Sequence, residues 1–138
     1  MSCVLFCSVI TAAEARTYLE VSPDSPDDLD TLFTTLEAYL ERGIPTPAQS
    51  EPVIVILHGA EAIPFTRQGF AAHRSLVDRA ALLDAYRLID VRMCRTWMDS
   101  NGIGPEDIPA FIETVPFAPE EIQRLEAEGY APYGGLDI

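Results

Sequence analysis

The chain has 138 residues, 48% of them hydrophobic, enough to bury one well-formed core and too few for two domains. Lys and Arg number 9 against 22 Asp and Glu, a net charge of −13, which argues against nucleic-acid partners and anionic membrane surfaces. No apolar run approaches the roughly 18 residues that span a bilayer, so membrane insertion is not expected.

Residues 1–15, MSCVLFCSVITAAEA, form an uncharged apolar run ending in the small-x-small pattern of a signal-peptidase site, with cleavage after Ala15. The positively charged start of a leader is missing, so a removed leader and a retained N-terminal extension both stay open. The first implies a periplasmic protein, the second a cytoplasmic one. Cleavage would remove Cys3 and Cys7 and leave Cys94 as the sole thiol, which cannot close an internal disulfide. No His or Cys pair stands at zinc-ligand spacing with Cys3 and Cys7, so neither a metal nor another cofactor is expected.

Arg16 to Val21 (RTYLEV) alternates as a strand does, and SPDSPDD supplies a turn and an acidic helix start. Leu29, Leu32, Phe33, Leu36, Tyr39 and Leu40 fall on one helical stripe that Gly43 terminates. IPTPAQSE is a proline-punctuated loop. Val53 to Leu57 are five consecutive aliphatics, the pattern of a strand covered on both faces. AEAIPFTRQGF reads as a loop broken by Pro64. HRSLVDRAALLDAYRLI then reads as an amphipathic helix on Leu76, Ala80, Leu83 and Arg87. DVRMC is a third strand, RTWMDSN a short helix ended by Gly102, and GPEDIPAFI another turn or short helix. ETVPF is a fourth strand, and APEEIQRLEAEG a helix opened by Pro119 and closed by Gly129. YAPY is an edge strand weakened by Pro132. Such alternation predicts an α/β fold, a three-layer α/β/α sandwich whose mainly parallel sheet has about five strands.

Open parallel sheets bind ligands beyond the carboxyl ends of their strands, where His58-Gly59 and Cys94 both stand. A thiol at the first turn of a helix feels the positive end of the backbone dipole, which favours thiolate. Arg92 shares a strand face with Cys94, and Arg95 follows it, so two of nine cations flank the sulfur. The competing reading is an inert packed cysteine, common among free thiols. His58 is a base or hydrogen-bond partner at the pocket border, or a satisfied structural group; Gly59 permits a tight turn. Trp97 and Met98 wall a pocket, an interface or the core. No G-x-S-x-G elbow supports a serine triad.

The VIVILHG strand and turn, IDVRMC with Cys94, Met98, Gly102 and Ile103 at C-x3-M-x3-GI spacing, and then EDI, VPFAPEEI and RLEAEGY together resemble the DsrE/DsrF-like family of small sulfur-relay proteins, over residues 16–138. The resemblance implies an α/β/α subunit that forms homo-oligomers, commonly trimers or hexamers. It also implies a persulfide carried on Cys94, taken from a sulfur-donor protein and passed to an acceptor, in a relay rather than a turnover enzyme. Some members lack the cysteine and serve as structural subunits. The chain departs from the pattern at Arg95-Thr96-Trp97, bulkier than the small residues often found there, and a tryptophan at this place can close the pocket.

Overall fold

The computed structural model describes residues 16–21, 27–43 and 51–133. The leader-like run with Cys3 and Cys7, most of the first turn and nearly all of the proline-punctuated loop lie outside the described residues.

Among the described residues five strands form one sheet: β1 (Thr17–Glu20), β2 (Val53–Leu57), β3 (Ile89–Cys94), β4 (Glu113–Val115) and β5 (Ala131–Pro132). Their order is β4-β3-β2-β1-β5, and every pairing is parallel. The α-helices among the described residues that connect them are α1 (Asp27–Arg42), α2 (Arg74–Ala85), α3 (Arg95–Ser100) and α4 (Ala118–Ala127). The predicted three-layer α/β/α architecture is the observed one.

Alternation along each strand sorts the core into two faces. Val53, Val55 and Leu57 of β2 face one way with Val91 and Met93 of β3, and pack against Leu32, Phe33 and Leu36 of α1 and Val77, Ala80 and Leu83 of α2. Ile54 and Ile56 face the other way, with Tyr18, Cys94, and Ala118 and Leu125 of α4. The unbroken aliphatic run of β2 therefore records burial on both faces, and all five of its residues are buried.

Two expectations are corrected. AEAIPF is not an irregular loop but a 3₁₀ helix, Ala60–Phe65, followed by a second short one, Phe70–Ala72. Pro64 fits because a 3₁₀ segment this short forms few internal hydrogen bonds that need its missing N–H. In α2 the buried stripe is Val77, Ala80 and Leu83; Leu76 is half-buried and Arg87 is exposed beyond the helix end.

Candidate functional site

The connections change face between β3 and β4: α1, α2 and Met98 of α3 pack on one side, α4 on the other. A crevice is expected where the chain diverges in this way, at the carboxyl ends of those strands. Cys94 stands there, in register with Val115. The divergence is bridged, however. Thr96 Oγ1 donates to the Pro116 carbonyl at 2.7 Å, and Arg95 Nη2 donates to Thr114 Oγ1 at 2.9 Å.

The sulfur lies beneath α4. Cys94 is 3% exposed and packs with Tyr18, Ile54, Ile56, Ala118 and Leu125, while Trp97 is half-buried against the same cluster. Although Cys94 immediately precedes α3, its side chain makes no capping hydrogen bond to that helix. Arg92 does share the Cys94 face, but its guanidinium is engaged elsewhere: Nη2 donates to Asp90 Oδ2 at 2.9 Å and Nη1 to Glu121 Oε1 at 2.5 Å. Arg124 also bonds Glu121, and this hydrogen bond, opposed by burial and joined by that from Arg92, holds the Glu121 carboxyl below its ordinary range. Asp90 and Glu121 bond Arg92, with Glu113 3.9 Å from its Nε, and Arg95 is exposed and tied to β4. The expected thiolate-stabilising pair is thus a pair of structural ties, one within the α4 face and one between α3 and β4.

His58 and Gly59 follow β2 and line no cleft themselves among the described residues; the next two residues, Ala60 and Glu61, line a different space. His58 Nε2 lies 3.0 Å from Glu20 Oε1, but off the line of a hydrogen bond, so the nitrogen has no hydrogen-bond partner among the described residues. The backbone N–H of His58 donates to Glu61 Oε1 at 2.8 Å, folding that carboxylate back over the strand end. Gly59 makes this arrangement fit: a Cβ there would stand 2.8 Å from Glu61 Oε2. Glu61 is 9% exposed, and its Oε2 has no hydrogen-bond partner among the described residues.

Beside Glu61 lies a cleft of about 410 Å³ at the carboxyl ends of β1 and β2. Its walls are Val21, Leu29 of α1, Ile63 and Pro64 of the 3₁₀ helix, and His73 and Leu76 at the start of α2. That volume falls in the range of small-ligand sites, roughly 300–1,000 Å³, and the lining has their character, mostly apolar with few polar groups. Glu61 and His73 were not singled out from sequence. The available signal for Glu61 was one acid set among the apolar residues of AEAIPF. No group of three or more His, Cys, Asp or Glu is placed to hold a metal ion among the described residues, and no helix among them is long and apolar enough to cross a membrane.

These features define an α/β/α protein with a strand-end cleft and a separate, packed cysteine. No family model and no curated protein matches the chain. Among solved structures it is similar to MTH1491, a protein of unknown function from Methanobacterium thermoautotrophicum. The two superpose with a TM-score of 0.60 at 13% identity, covering 86% of this chain and 96% of the other. At that identity the likeness establishes the fold.

Proposed function

We propose that the protein is a non-catalytic small-ligand-binding module whose site is the cleft at the ends of β1 and β2, with Cys94 serving as a packed structural residue. The observation that carries this reading is the separation of the two features: the sulfur is 3% exposed in an apolar cluster, and the 410 Å³ cleft is lined without it. Assembly into a trimer or hexamer belongs to the proposal by family resemblance, and sedimentation of the full chain tests it; a purely monomeric species counts against it.

A fragment screen by NMR on the isotope-labelled full chain tests the site. Hits are expected to shift the amides of Glu61, Ile63, His73 and Leu76. No hits, or hits confined to other surfaces, overturn the reading.

The second reading is a sulfur carrier on Cys94, favoured by the position of this residue at the carboxyl end of β3, immediately before α3. It requires a donor persulfide to reach the sulfur past Ala118 and Trp97. Incubating the native chain with a persulfide donor and mapping peptides separates the readings. One extra sulfur atom on the Cys94 peptide supports the carrier; loading only after unfolding supports the packed residue.

A further inference from the structure

The ligand class follows from what the cleft lacks. Its walls are largely aliphatic, and Ile63, which lines it, is 46% exposed, an apolar surface open to a ligand's hydrocarbon body. Against these walls stands one carboxylate, Glu61, with Oε1 satisfied by the His58 amide and Oε2 without a donor among the described residues. A largely buried carboxylate oxygen without a donor is destabilising, and a charged donor supplied to it forms a hydrogen bond stronger than a neutral one. Oε2 itself is covered. It lies against Gly59, so meeting a ligand requires the carboxylate to turn about its terminal bond, a torsion whose preference is broad.

We infer that the cleft binds a small amphipathic amine, with its ammonium group on Glu61 and its apolar body against Leu29, Ile63 and Leu76. This rests on reading the cleft as a ligand site. Two other titratable side chains bear on it: His73, which lines the cleft, and Glu20, which lies against His58. The net charge of −13 attracts any cation, so the contact must be separated from the general field.

The full chain is titrated by NMR with cyclohexylmethylamine and with its neutral counterpart, cyclohexylmethanol. At about pH 8 an alkylamine is charged. Wild type is expected to bind the amine about tenfold more tightly than the alcohol, the size of one charge-assisted hydrogen bond. Glu61→Gln keeps an oxygen for the His58 amide but offers a donor in place of the second oxygen, and should bring the amine to the level of the alcohol. Glu20→Gln should change amine affinity by less than about twofold, as an exposed charge does. Equal affinity of amine and alcohol on wild type, a comparison that needs no variant to fold, overturns the inference. So does an equal loss in both variants. If the alcohol alone shifts the cleft residues, the site stands and the amine fails; if neither ligand shifts them, the cleft reading fails with it.

Discussion

Arg92 and Cys94 stand two residues apart on one face of β3, yet the guanidinium is bound to Asp90 and Glu121 while the sulfur is packed among Tyr18, Ile54 and Leu125. Strand periodicity places them together, and tertiary partners separate their chemistry. The positive charge of Arg92 is already matched by the carboxylates of Asp90 and Glu121.

A packed sulfur predicts an order of variant stabilities. Cys94→Ala removes contacts and leaves a small void, expected to cost about 1 kcal/mol. Cys94→Ser puts a hydroxyl among apolar side chains and should cost more, about 1–3 kcal/mol. Urea unfolding measures both. A serine variant as stable as wild type would show that the site tolerates a polar group, contrary to a dry core.

Arg92 and Arg124 both bond Glu121 but differ in burial, their side chains being 15% and 49% exposed. Arg92→Met strips a partner from two carboxylates, one of them buried, and should cost about 1.5–3 kcal/mol. Arg124→Met removes a solvent-screened partner and should cost under about 1 kcal/mol. Thermal unfolding of the two variants at low salt checks the order; equal losses would contradict the burial argument.

Tyr18 predicts an alkaline transition. Its hydroxyl donates to Glu126 Oε1 at 2.6 Å, and this hydrogen bond, with burial and the charges of Glu126 and Glu20, pushes its pKa from 10.0 up to about 12. The folded state thus holds the proton more tightly than the unfolded one. Its contribution is fully present below pH 10.0 and is lost as pH rises through about 12. Tyr18→Phe should flatten that part of the stability profile, at a loss of about 1 kcal/mol near neutrality. An unchanged alkaline slope in the phenylalanine variant would rule the coupling out.

The sheet was legible because strands buried on both faces are written as aliphatic runs, and Val53 to Leu57 is the plainest example. The four helices were legible from their stripes and from the Gly43, Gly102 and Gly129 ends. The site was legible only in part. His58 and Gly59 mark the strand end, but Glu61 acquires its meaning by folding back onto the His58 amide, a contact that periodicity does not encode. Likewise, Arg92 meets Glu121 from 29 residues away in the chain. Nor did the sequence mark the end of α2, where the residue that turns out of the helix is an arginine.

That arginine carries the last prediction. Three helices end in the same way: Leu88 N–H donates to the Leu83 carbonyl at 2.9 Å, Ile103 to Met98 at 2.9 Å and Tyr130 to Leu125 at 3.0 Å. In each pair both side chains are apolar or aromatic, the contact that accompanies this C-terminal motif. The residue before each donor adopts positive φ, +67° at Gly102 and +95° at Gly129, but +60° at Arg87, where a Cβ crowds the neighbouring carbonyl. Relieving that crowding stabilises the fold by roughly 1–2 kcal/mol, and the extra freedom of glycine in the unfolded chain offsets part of it. Arg87→Gly is therefore expected to gain about 0.5–1 kcal/mol, read as a higher urea midpoint with an unchanged slope. Arg87→Ala keeps the Cβ and should gain nothing. Equal midpoints for the glycine and alanine variants would mean that the left-handed turn carries no strain.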